Sequence, residues 1–121
     1  VGSVKWGWDN GEWYRNFESA SSVREARGLK LLRTWLSLEQ LAQYDRHSYF
    51  DVIGCHSGKR YRIRHGTGAN IYEIDDAGRL RVGWCFVPED NLVAGDVVLA
   101  QKISLETDER GALAVAKNFA L

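Results

Sequence analysis

Five arginines and a lysine crowd into one short span of this chain: Lys59, Arg60, Arg62 and Arg64, then Arg79 and Arg81. A guanidinium offers a rigid fork of donors that suits phosphate or carboxylate oxygens in pairs. The row is therefore a candidate polyanion surface, with Arg60, Arg62, Arg64 and Arg81 as its binding residues. Sheet proteins that hold single strands also stack bases on exposed aromatic rings. Alternation along the strands expected here sends the aromatics to the opposite face, and Asp51, Glu73 and Asp75 fall among the arginines. The reading preferred from sequence is thus a salt-bridged, solvated face. A protein-partner surface comes second and nucleic acid third.

Cys55-His56, with His47, His65 and Cys85, invites a metal or a thiol nucleophile. Zinc sites use tight spacings such as C-x-x-C or H-x-x-x-H, and neither occurs. Neighbours on a strand point to opposite faces, so His56 is badly placed to activate Cys55. His65 is expected on the apolar face, opposite Phe50. Gly66-Thr67-Gly68-Ala69-Asn70 is glycine-rich, but a strand follows it where a phosphate cradle needs a helix or a P-loop lysine. It reads as a wide hairpin turn. Acid pairs among Glu106, Asp108 and Glu109, or Asp75 and Asp76, suit general acid–base work on paper. Each sits beside a turn or cap signal that already accounts for it. No catalytic residue, metal or cofactor is expected, and a small hydrolase is the third functional reading.

The elements that would position these groups are an antiparallel meander over about 49–87. Its strands are read as Tyr49–Cys55, Arg60–His65, Asn70–Asp75 and Arg79–Val87. Phe50, Val52, Tyr61, Ile63, Tyr72, Ile74, Leu80, Val82, Trp84 and Phe86 then share one face. Asp51, Glu73, Asp75 and the arginines share the other. A two-residue Ser57-Gly58 turn pairs Asp51 with Arg64, Val52 with Ile63 and Ile53 with Arg62. A three-residue Asp76-Ala77-Gly78 loop, with Gly78 left-handed, pairs Asp75 with Arg79 and Glu73 with Arg81.

Ser22 with Glu25 makes a capping box for a helix over 22–36, with Leu29, Leu32 and Leu36 at helical spacing. Gly28 weakens its middle by about 1 kcal/mol relative to alanine. Ser37 with Gln40 caps a second helix, Leu38–Tyr44, and Leu36 with Leu41 has the hydrophobic-staple spacing. After Pro88, Asp96 caps a further helix carrying Leu99 and Ile103. Thr107-Asp108-Glu109 reads as another N-terminus, leading through Leu113, Ala116 and Phe119 to the end. One bent helix or two is left open, with Gly111 favouring a break.

Residues 1–16 form a Trp-rich N-terminal arm, and 17–121 a single α+β domain. Its four-stranded antiparallel sheet carries N-terminal and C-terminal helices on the apolar face. In the arm, Trp6 and Trp8 alternate like a short strand and Asp9-Asn10-Gly11 signals a turn. Trp6, Trp8 and Trp13 are candidate partner-binding residues, since tryptophan is enriched at binding hot spots.

The bulk numbers bound these readings. At 121 residues the chain supports one core. Lys+Arg and Asp+Glu both count 16, so no overall basic excess points to nucleic acid or anionic membrane. Cys55 and Cys85, on the first and fourth strands, would lie roughly 14 Å apart at a strand spacing of ~4.8 Å. A disulfide needs Cα atoms within about 7 Å. Two free thiols and a cytoplasmic, reducing compartment are expected. No apolar run approaches a membrane span. The chain opens on Val1 and has no methionine, which suggests a domain cut from something longer, with Val1-Gly2-Ser3 as a cloning scar.

The run Gly54…Gly58-x-x-Tyr61-x-Ile63…Asn70, then Cys85-Phe86-x-Pro88, then Leu99-Ala100-Gln101-Lys102…Leu105-Glu106-x-x-Glu109 resembles a pattern in a family of bacterial proteins of uncharacterised activity. It covers roughly Ser37 to the end. The resemblance implies a bacterial or phage-linked origin and a recurring sheet-then-helix unit, and it transfers no functional residues. Taken together, the sequence leads to a non-enzymatic protein-interaction or assembly domain, self-association included. An accessory nucleic-acid binder using the arginine row is the alternative.

Overall fold

Ser37 marks the first fixed point of the structure. Its hydroxyl accepts from the Gln40 N–H at 3.1 Å, and its own N–H donates to Gln40 Oε1 at 3.0 Å. This reciprocal cap opens α2 (Leu38–His47), three residues longer than expected. Before it runs α1 (Asn10–Trp35), and after it come β1 (Tyr49–Ile53), β2 (Arg60–Arg64), β3 (Ile71–Ile74) and β4 (Leu80–Cys85). The chain continues through α3 (Ala94–Thr107) and α4 (Glu109–Val115) into β5 (Lys117–Phe119). The computed structural model describes residues 10–86 and 93–119, with side chains from residue 22 onward. The architecture is α+β. Five antiparallel strands lie in sequence order, with the helices against one face.

Two expectations about the helices give way. The capping box at Ser22 is not used, because α1 already begins at Asn10. Glu12, Arg15, Glu18 and Ala20 are good helix formers, and a serine within a continuing helix has no free N-terminus to cap. Asn10-Gly11 is therefore helix, not turn. Trp6 and Trp8, and the side chain of Trp13, lie outside the described residues. At the other end α3 starts after Val93, which makes no side-chain cap, and Asp96 sits in the first turn, where it favours the helix dipole. The C-terminal region is two helices. Asp108 ends α3 and caps α4, accepting from the Gly111 N–H at 3.3 Å.

Helices α1 and α3 cross at two glycines. A Cβ on Gly95 would lie 2.4 Å from the carbonyl carbon of Gly28. The residue that costs α1 intrinsic helix propensity is thus where α3 comes closest. The core beneath the helices joins Leu32, Leu36 and Tyr44 to Phe50, Val52, Tyr61, Ile63 and Ile71, with Val98, Leu99, Leu105 and Ala112 completing it. Leu41, Trp84, Phe86 and Leu113 close its margin.

Register differs from expectation in three places. First, Asp51 faces Arg62 and Val52 faces Tyr61, two residues from the expected pairing. The connection is six residues long, closed by Gly54 N–H to Lys59 O at 2.8 Å and Gly58 N–H to Gly54 O at 3.0 Å. An even shift leaves every β1 and β2 side chain on its expected face. Second, β3 is turned over. Ile71 pairs with Ile63 and Trp84, Tyr72 with Arg62 and Gly83, and Glu73 with Tyr61 and Val82. Ile71 takes the core and is fully buried, while Tyr72, whose hydroxyl needs a partner, goes to the arginine side. Third, the register slips between Glu73 and Ile74, so Glu73 opposes Val82 instead of Arg81, and Arg81 has no cross-strand partner. Glu73 pairs with Lys59 at 2.9 Å. The Asp75–Arg79 pair forms as expected, at 3.2 Å, with Gly78 left-handed at φ 79°.

The last segment brings a fifth strand where a helix was expected. β5 pairs with β4 through Gly83↔Phe119, Trp84↔Asn118 and Cys85↔Lys117. Gly83 makes this pairing possible, since a Cβ there would sit 2.1 Å from the Phe119 ring. Among the described residues no helix is long and apolar enough to cross a membrane.

Candidate functional site

The sheet face turned away from the helices carries Tyr49 and Asp51 from β1, Arg60, Arg62 and Arg64 from β2, Tyr72 from β3, and Lys117 and Phe119 from β5. Arg62 is fully committed there. Its Nε donates to Asp51 Oδ1 at 2.9 Å and its Nη2 to Oδ2 at 3.2 Å, and both side chains are less than a fifth exposed. Those hydrogen bonds hold its guanidinium even more firmly charged. The same guanidinium lies 4.1 Å over the Tyr49 ring, against which His47 stacks at 5.0 Å.

Arg64 is placed differently. It is exposed, lies 5.1 Å over the Tyr72 ring, and pairs with no carboxylate among the described residues. An exposed cation–π contact of this kind contributes roughly 0.5–1 kcal/mol, against about 1–3 kcal/mol for a base stacked on an aromatic ring. Half-buried Tyr72 donates its hydroxyl to Ala69 O at 3.3 Å and meets Phe119 edge-on at 5.8 Å. Arg60, Arg81 and Lys117 are likewise exposed and without a carboxylate partner among the described residues, whereas Lys59 and Arg79 are spent on Glu73 and Asp75. Of the four arginines singled out from sequence, three are available to a ligand and Arg62 is not.

A second cluster gathers around Glu109, which is 2% exposed. Its Oε1 accepts the N–H groups of His56 (2.9 Å) and Ser57 (2.7 Å), and its Oε2 accepts the hydroxyls of Ser57 (2.5 Å) and Tyr61 (2.6 Å). Burial by itself would raise this carboxyl. The Ser57 and Tyr61 hydroxyls and the two amides outweigh it and hold the group down at about 2. Burial, with the Glu109 charge beside it, pushes the Tyr61 hydroxyl well above its ordinary range. A depression of about 260 Å³ opens here, lined by His56, Lys59, Arg110 and Leu113 as well. A carboxylate with four donors and so low a pKa is a poor proton acceptor near neutrality. It anchors the Gly54–Lys59 loop to α4. The carboxylate fits only because Gly54 has no Cβ, which would fall 2.3 Å from it.

The cysteine and histidine candidates are dispersed. Cys55 Sγ accepts from the Glu109 N–H at 3.4 Å, and His56 Nδ1 accepts from the Arg110 N–H at 3.1 Å. Each is thus tied to α4, and no bond joins the two side chains. Cys55 and Cys85 are both free thiols, as expected. His65 is exposed and hydrogen-bonds the Tyr44 hydroxyl through Nδ1 at 2.6 Å, while Ile63 occupies the place opposite Phe50. Among the described residues no three His, Cys, Asp or Glu side chains converge as a metal site would require.

Sequence reasoning gave Gln40 its capping role alone and missed the structural work of Gln43 and Gln101. Gln43 Oε1 accepts from the Asp51 N–H at 2.8 Å and Gln40 Nε2 donates to Asp51 O at 3.0 Å. They satisfy the outward-facing N–H and C=O of Asp51 in the middle of β1. Gln101, fully buried in α3, exchanges paired hydrogen bonds with Asn70 at 2.8 and 3.0 Å and so fixes the end of the Gly66–Asn70 turn. The cleft between α2 and β1, about 470 Å³, is lined by the engaged groups Gln40, Gln43, Asp51 and Glu106, with Glu39 and Arg60 also at its wall. At the α1–α2 corner Leu31, Trp35 and Leu38 are 47%, 61% and 86% exposed. Compared with protein-family models, curated proteins and solved structures, the chain has no match in any of the three.

Proposed function

We propose that this is a non-catalytic binding domain that holds a single-stranded nucleic acid across the outer face of its sheet. The observation that carries the reading is Tyr72 lying beside Arg64 on the face that also bears Arg60 and Lys117, with Arg81 exposed at the neighbouring register slip. A sequence argument had set the aromatics on the other side. With β3 turned over, a ring and unpaired cations occupy one open surface, the combination that lets a groove track a backbone while bases stack. Exchange of a labelled single-stranded oligonucleotide, followed by fluorescence anisotropy, tests it. Binding should weaken linearly on a log–log plot against salt, and Arg60→Ala and Arg81→Ala should each weaken it at low salt. Absence of binding at low salt overturns the reading. The free thiols of Cys55 and Cys85 fit a cytoplasmic location.

The protein-partner reading has one observation of its own, the exposed Leu31, Trp35 and Leu38 at the α1–α2 corner. Large apolar side chains exposed near one another in sequence favour docking or self-association, with Trp6, Trp8 and Trp13 as further contributors. Light scattering should then show mass rising with concentration, and Trp35→Ser or Trp8→Ala should reduce it.

A further inference from the structure

Two tyrosines stand on the outer face, each under an arginine, yet the two arrangements are not equivalent. Over Tyr49 the guanidinium of Arg62 is clamped by both oxygens of Asp51, and His47 covers the ring as well. Opening that ring would break two charged hydrogen bonds in a site less than a fifth exposed. Over Tyr72 the guanidinium of Arg64 is exposed, with no carboxylate to hold it among the described residues. The Tyr72 ring is kept in place from beneath and beside: its hydroxyl donates to Ala69 O, and the Phe119 ring, lying over Gly83, meets it edge-on.

Resting on the nucleic-acid reading above, we infer that Tyr72 is the base-stacking position of this face and Arg64 its movable lid, while Tyr49 is closed to ligand. An unpaired base displaces Arg64 from the ring, and the freed guanidinium takes the adjoining phosphate. Arg60 on the same strand continues the cationic track. A base must be unstacked and unpaired to lie flat on the Tyr72 ring, so a single strand binds in preference to a duplex.

The experiment compares oligothymidylate with its duplex on oligoadenylate, using the full chain and its variants. Wild type should favour the single strand. Tyr72→Ala should lose roughly tenfold or more in affinity while Tyr72→Phe, which keeps the ring, stays within about twofold. Tyr49→Ala should also stay within about twofold. Arg64→Ala, a change at an exposed side chain that keeps the fold, should make the salt dependence shallower by about 0.7, and Arg62→Ala should leave that slope unchanged. Binding that survives Tyr72→Ala, falls as far with Tyr49→Ala, or keeps its slope in Arg64→Ala overturns this inference and leaves the nucleic-acid reading standing. Equal binding of duplex and single strand overturns this inference and the single-strand preference of the reading above, leaving a charge-driven nucleic-acid surface. A wild-type chain that binds neither overturns both.

Discussion

Glu109 shows how a residue chosen for its chemistry can turn out to serve the fold. The sequence reading puts Asp108 and Glu109 alike down to a helix start, which holds for Asp108 and not for Glu109, whose side-chain partners lie more than 45 residues earlier. Only the serine, the tyrosine and the glycine facing it give the role away, and no local pattern connects them. Because its folded pKa sits at about 2, below the ordinary 4.5, the stabilisation it supplies is complete above pH 4.5. That stabilisation is lost as pH falls from 4.5 toward 2. Glu109→Gln should cost roughly 2–3 kcal/mol at neutral pH, since an amide cannot accept from four donors. It should also flatten the acid limb of stability measured by urea unfolding between those pH values. A variant that keeps the wild-type acid limb would show that another carboxylate governs it.

At the scale of elements, period-two patterning carried most of the fold. It placed β1, β2 and β4 within a residue or two, and its sorting of faces survived in β1 and β2 because the turn error was even. In β4 Leu80, expected in the core, is exposed opposite Ile74 beyond the register slip. Patterning failed at β3, where Ile71 and Tyr72 are adjacent and both suit a core; burial went to the residue without a hydroxyl. The bulge at Arg81 was hidden because Leu80 and Val82 on either side keep the alternation intact. β5 offers only Lys117-Asn118-Phe119, too short for any period to register, and its signal was instead Gly83 on the neighbouring strand. The Arg64–Tyr72 part of the site depended on this level, since the arginines were visible in sequence and the ring beside them was not. The helix crossing makes its own prediction. Gly95→Ala drives a methyl into the backbone of Gly28 and should lower stability by about 1–3 kcal/mol in thermal or denaturant unfolding. Gly28→Ala should cost less, because its nearest obstacle is the Val93 side chain and its helix propensity improves by about 1 kcal/mol.

For the whole molecule, the balance of 16 basic against 16 acidic residues argued against nucleic acid, and the structure shows how that total is divided. On and around the outer face, Asp51, Glu73 and Asp75 each consume one cation, and Arg60, Arg64, Arg81 and Lys117 are left over. Four contacts at about −0.7 apiece set a salt slope of roughly −3 for a single strand, measurable by anisotropy titration. A much steeper slope would mean that cations elsewhere take part. The link from Glu109 back to His56 has a further consequence for how the chain is made. The two residues are 53 positions apart. At about 5–20 residues per second, the Cys55–Ser57 loop leaves the ribosome roughly three to ten seconds before the carboxylate that will secure it. During that interval the first hairpin must wait with its connection untethered, and shielding of nascent β1 and β2 falls to the helices already emerged, α1 and α2.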